Sequence, residues 1–155
     1  MQRPPRGGRH PARRLALQTL FEIDFNRADP RETHDRGAFR AGLTEEAAAF
    51  AWDLVAGVLA HRKELDAEIA ALAPEFPIDQ MARIDRNILR IALYEVRVSG
   101  DAPAAVIIDE AVELAQMFGS EASPKFVNGV LATAVGEQSG REERERGRQG
   151  SAGTT

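Results

Sequence analysis

The segment Ser123-Pro124-Lys125-Phe126-Val127-Asn128-Gly129 brings together residue types that can engage nucleic acid. Ser-Pro suits a helix start: a Ser hydroxyl can satisfy free amides, and Pro fits the first helical position. Lys125 adds positive charge where free N–H groups already favour phosphate. Phe126 offers a face on which a base can stack, an interaction of roughly 1–3 kcal/mol. Periodicity alone favours Phe126 as core, although one ring can pack an edge and leave a face open. Asn128-Gly129 is ordinarily a hairpin signal, yet Phe126, Val127, Val130, Leu131, Ala134 and Val135 recur at helical spacing. A helix running through Gly129 gives up about 1 kcal/mol against Ala. The expected reason is close approach by another helix at Gly129, with Lys125 and Asn128 on a polar edge.

Other chemistry is sparse. The chain has no Cys, which excludes disulfides, thiolate metal sites and Cys nucleophiles. His10, His34 and His61 lie far apart, with no zinc-ligand spacing. No nucleophile elbow, phosphate-binding loop or dinucleotide fingerprint occurs. Glu110 and Glu113 share a helix face near Asp109, and paired carboxylates can do acid–base work. A solvated helix surface is the plainer reading, so neither catalysis nor a cofactor is expected, and a hydrolase built on these acids is a distant alternative.

Charge is unevenly distributed over the 155 residues, whose net charge is −4. Arg3, Arg6, Arg9, Arg13 and Arg14 precede the first acid, Glu22, whereas acids dominate from Thr44 to Asp79. A basic start on an acidic body suggests two surfaces for two partners. No apolar run approaches the ~18 residues of a membrane span. The basic N-terminus lacks the apolar stretch of a signal peptide, so a cytoplasmic location is expected.

Helices must position these groups. Residues 1–10 read as a flexible basic arm, residues 11–135 as one helical domain, and residues 136–155 as a disordered charged tail. Pro11 can open a first helix with Leu15, Leu20 and Ile23 on one face. Arg13 and Arg14 then fall in its first turn, where the helix dipole disfavours cations, so a compensating anion is suspected. Residues 27–43 read as a loop with at most a short helix. Thr44 caps the next helix, and a related stripe continues to Leu72, either as one helix or as two broken near His61. The next helix begins at Asp79 or a neighbour. It turns Ile84, Ile88, Leu89 and Ile91 inward, with Arg83, Asp85, Arg86, Arg90 and Arg97 outward or edging the stripe. Asp85 and Glu95, among arginines, read as surface ion pairs. Pro103 opens a further helix that Gly119 closes. The result is an all-α bundle of six to seven helices.

The blocks RRLALQTLFEID, NILRIALYEV and VIIDEAVELAQMFGSEASPKFVNGVL resemble the NusB transcription antitermination family, in family order and at family-like spacing. The resemblance covers most of residues 11–135. It implies two three-helix sub-bundles packed crosswise, no catalysis, and binding to the boxA element of nascent ribosomal RNA together with NusE, a small-subunit ribosomal protein. It further implies assembly with NusA, NusG and RNA polymerase to suppress premature termination. Carried onto this chain, the RNA side comprises Arg9, Arg13, Arg14, Lys125, Phe126 and Asn128. The NusE side comprises Glu75, Asp79, Arg83, Arg86, Arg90 and Tyr94. A homodimer that hides the RNA site also occurs in the family. An accessory module of ribosomal RNA processing or modification is the alternative. The chain departs from the family pattern at His10-Pro11, which interrupts the basic run, at Gln116 and at Ala122, pointing to weak RNA affinity without NusE.

Overall fold

The computed structural model describes residues 7–100 and 102–152. Seven α-helices follow one another: α1 (Arg9–Asn26), α2 (Pro30–Ala41), α3 (Glu45–Ala60), α4 (Arg62–Leu72), α5 (Arg83–Tyr94), α6 (Ala104–Phe118) and α7 (Ser123–Ala152). The basic arm expected over residues 1–10 lies, for residues 1–6, outside the described residues; Arg9 and His10 already belong to α1.

Local chemistry explains most boundaries. Asp29 accepts the Glu32 amide at 2.9 Å with Pro30 in the first helical position, so the polar segment after α1 forms a twelve-residue helix. The Thr44 hydroxyl accepts the Ala47 amide and caps α3, with Glu45 and Glu46 in the first turn. The long stripe breaks at His61, giving two helices. Asp79 falls in a short 3₁₀ turn, Ile78–Gln80, and α5 begins only at Arg83.

Helices α1, α2 and α3 form one group and α4 to α7 the other; α1 and α3 lie against α5. Leu17, Leu54, Ile69, Leu89, Leu93 and Leu131 are all fully buried in the shared core. Each such side chain contributes about 1.5–3 kcal/mol on removal from water. Helix α5 is the hub, touching α1, α3, α4, α6 and α7. Consequently every residue from Asp85 to Glu95 except Arg86 is buried. The outward orientation expected for Asp85 and Arg90 is therefore corrected: beyond its first turn the helix is packed by neighbours that enclose its polar residues along with the apolar ones. At the α3–α5 crossing the backbone of Gly57 lies so close to the Tyr94 ring that a Cβ there would overlap it.

Helix α5 continues into a π turn, Glu95–Ser99, closed by the Gly100 amide donating to the Glu95 carbonyl at 2.8 Å. At the other end of the chain the sequence reading expects disorder from residue 136, but α7 remains helical to Ala152. Residues 141–149 are all exposed, so no core holds this extension. Its Glu, Arg and Gln residues are good helix formers, and Gln138–Glu142 and Arg146–Glu142 pairs add i,i+4 support.

Candidate nucleic-acid interface

The α6–α7 turn organises one half of the site. Gly119 ends α6 where a Cβ would sit 2.5 Å from the Ser123 side chain. The Ser123 hydroxyl accepts the Ser120 amide at 2.9 Å, so it folds the turn back rather than capping α7. This sets the first turn of α7 with Lys125 and Asn128 exposed and Phe126 half-buried. The Phe126 ring meets Phe76 edge to face, with centroids 5.2 Å apart. Phe76, in the loop after α4, is 53% exposed. Sequence reasoning passed over Phe76, although an aromatic enclosed by Pro74 and Pro77 in a helix-breaking segment has little chance of joining a helical core. Together the rings give an open aromatic surface beside a cation.

Gly129 does not do what its sequence context suggests. Nothing lies within 4 Å of where its Cβ would be, and the residue is exposed. No helix approaches it. Instead Gly129 is an exposed residue without a side chain, and its carbonyl accepts the Thr133 hydroxyl at 3.0 Å.

The three arginines of α1 separate. Arg9 is exposed, its guanidinium 5.0 Å from the Phe50 centroid on α3. Arg14 faces α6 instead, 5.4 Å from the Phe118 centroid. Phe118 is the last residue of α6, so Arg14 and the Lys125–Phe126 pair flank the same turn. Arg13 is 3% exposed and forks onto Glu95, which is 2% exposed, with N–O distances of 2.8, 2.9 and 3.2 Å. Arg13 is thus corrected from a nucleic-acid contact to an internal tie between α1 and α5. Glu95 is the anion that its place in the helical first turn demanded, and it is not a surface charge. His10 Nδ1 donates to the Glu110 carboxylate at 2.8 Å, and Nε2 lies 3.9 Å from Glu113. These three side chains could together hold a cation, but the Arg13 guanidinium, 3.9 Å from Glu110, opposes it.

The second candidate surface also divides. Glu75, Asp79 and Arg83 are exposed, and Arg83 lies 5.5 Å over the Phe25 ring. Arg86 is half-buried and donates to the Ile78 carbonyl at 3.3 Å. Burial and then the neighbouring Arg90 lower its pKa, against the pull of Asp24. Arg90 and Tyr94 are corrected as direct contacts because both are buried. Arg90 grips Asp66 at 2.7 and 3.0 Å and reaches Asn87 at 3.0 Å, while Tyr94 fills the α3–α5 crossing. Beside Arg83 runs a largely apolar groove of about 510 Å³ lined by Leu17, Phe21, Phe25, Ile84 and Phe118.

An all-helical body that presents an aromatic and cationic patch is the class the described residues define. The chain belongs to the NusB family, whose family model matches residues 10–135. Among its relatives, the transcription antitermination protein NusB of Syntrophomonas wolfei is 39% identical over 85% of this chain and 98% of its own length. The protein of the same name from Symbiobacterium thermophilum is 42% identical over 94% of each chain. The solved structure of T. maritima NusB superposes with a TM-score of 0.76 at 30% identity, covering 86% of this chain and 91% of that one. A NusB chain solved with NusE and double-stranded RNA gives 0.74 at 26% identity, over 81% and 93%.

Proposed function

We propose that this chain is an RNA-binding transcription antitermination factor that acts with NusE on boxA RNA of nascent ribosomal transcripts. The observation that carries the reading is the α6–α7 turn, which presents Lys125, Asn128 and the open Phe126–Phe76 pair beside Arg14. Bases stack on the rings, and the cations hold the backbone. RNA readers of this kind need unpaired bases, which suits a single-stranded element.

NusE takes the apolar groove beside Arg83, with Glu75, Asp79, Arg83 and Arg86 at its rim. Burying Phe21, Phe25 and Ile84 supplies affinity, and the charged rim supplies orientation. The pair then joins NusA, NusG and RNA polymerase. A homodimer formed through the same exposed faces would compete with RNA, and sedimentation with and without RNA measures it. The deciding experiment is a polarisation titration of labelled boxA RNA with and without NusE. Tighter binding to boxA than to a scrambled strand, strengthened by NusE, is expected; equal binding to both strands defeats the reading.

A further inference from the structure

The two rings of the aromatic surface ride on different helices. Phe126 belongs to the first turn of α7. Phe76 follows α4, and its amide donates to the Ala73 carbonyl at the end of that helix at 3.0 Å. Phe76 therefore moves with α4, and the edge-to-face contact lasts only while α4 and α7 keep their spacing. Arg97, in the π turn after α5, reaches both helices. Its guanidinium donates to the Glu68 carboxylate of α4 through Nε at 2.8 Å and Nη2 at 2.6 Å. On α7, Nη2 also donates to the Ala134 carbonyl at 3.2 Å, and Nη1 donates to the Gln138 side-chain oxygen. Phe76 stands eight residues after Glu68, and Phe126 eight residues before Ala134. The staple and the ring pair thus mark the two ends of one antiparallel seam, about 12 Å apart along α7. Between them Leu65 and Ile69 of α4 share the core with Val127 and Leu131 of α7.

We propose that Arg97 is a positioning residue for the aromatic surface: by joining α4 to α7 it sets the distance and tilt of Phe76 against Phe126, and so the platform on which a base stacks. A planar fork can serve three acceptors in fixed directions, which a single ammonium cannot. The Arg97 and Glu68 side chains are 27% and 26% exposed. An ion pair that water reaches adds little to global stability. Its effect lies in the geometry it holds, and a stacking platform needs its rings fixed to within a fraction of an ångström. The role in binding rests on the RNA reading above; the role in placing the rings is measured without RNA.

The test compares the full chain with Arg97→Gln, Phe76→Ala and the double variant. In the free protein, nuclear Overhauser contacts between the Phe76 and Phe126 rings are expected in the wild type and lost in Arg97→Gln, with the urea midpoint little changed. With saturating NusE, Arg97→Gln should bind boxA RNA about fivefold more weakly, part of the roughly 5- to 150-fold that one stacked base contributes. The double variant should bind no more weakly than Phe76→Ala, because Arg97 acts through that ring. The log–log salt slope should stay as in the wild type, because this guanidinium meets no phosphate. Glu68→Ala frees α4 while leaving Arg97 on α7; it should reproduce both losses, and it decides the matter if Arg97→Gln unfolds. Ring contacts that survive without the staple overturn the proposal, whatever RNA does. Unchanged RNA affinity in Arg97→Gln overturns it too, as do losses that add to those of Phe76→Ala or a slope reduced by about 0.7, the mark of a direct phosphate contact. If the ring contacts depend on Arg97 but the wild type does not bind boxA RNA, the RNA reading falls and the placement of the rings by Arg97 stands.

Discussion

Arg13 and Glu95 join α1 to α5 through a two-pronged ion pair almost entirely out of water. Removing one partner strands the other charge in the core. Arg13→Ala is therefore expected to cost about 3–5 kcal/mol, whereas the double change Arg13→Met with Glu95→Leu, which leaves no buried charge, stays near wild type or gains. Urea unfolding of both variants measures this. A single variant as stable as the double would show that the pair carries no internal burden.

Two glycines in helices should respond in opposite directions. Gly57→Ala drives a methyl group into the Tyr94 ring and forces α3 away from α5, a loss of about 1–3 kcal/mol or more. Gly129→Ala meets no neighbour and should raise stability by up to about 1 kcal/mol. Thermal melts of the two variants side by side provide the comparison. If Gly129→Ala is more stable yet binds RNA less well, the bare backbone there serves the ligand.

Phe76→Ala tests the aromatic surface with little disturbance of the core, since that ring is more than half exposed. It should weaken RNA binding by about 1–3 kcal/mol. Phe126→Ala should weaken RNA at least as much and also lose some stability, because Phe126 is half-buried. RNA affinities indistinguishable from wild type in both variants would take the rings out of the interface.

The salt response separates the arginines. Arg14→Ala and Lys125→Ala should each reduce the log–log salt slope of RNA binding by about 0.7. Arg13→Met with Glu95→Leu should leave the slope unchanged, because that guanidinium is enclosed.

His34 makes stability depend on pH. Its ring is buried against Trp52, and burial and then Arg31 lower its pKa below the ordinary 6.5, with Asp35 opposing. The folded state favours the neutral ring, so this contribution is complete above 6.5. It is lost as pH falls below that value, where the unfolded chain takes up the proton first. His34→Gln should flatten the decline in urea midpoint between about pH 7.5 and about pH 5.5. An identical decline in both proteins would assign it to other groups.

Much of the fold is legible in the residues. Apolar spacing marks α1, α3, α4 and α6, and Thr44 supplies a genuine start signal; α2, expected as a loop with at most a short helix, is set by the Asp29 cap and Pro30 in a segment with too few apolar residues to show a period. Periodicity assumes a wet side, which helix α5 lacks over most of its length. Asp85, Arg90 and Glu95 are polar by type and yet enclosed, through packing that no local pattern reports. The same limit affects the site. Lys125, Phe126 and Asn128 stand in one short segment and can be proposed together from sequence, whereas Phe76 meets Phe126 only through tertiary structure. Arg9, Arg13 and Arg14 look equivalent as a basic run, but a turn of helix sends them to Phe50, Glu95 and Phe118. The close approach expected at Gly129 occurs instead at Gly57, because a missing Cβ can admit either a neighbour or nothing.

Helix α7 outlasts the body that supports it. Arg97 ties it down through the Ala134 carbonyl and Gln138, and from residue 141 to residue 149 every side chain faces water. Amide protons along this one continuous element should therefore exchange with deuterium at two very different rates. Those before Arg97's anchor wait for global opening, and those beyond it follow the fraying of a lone peptide. A single rod thus carries a rigid root and a restless tip.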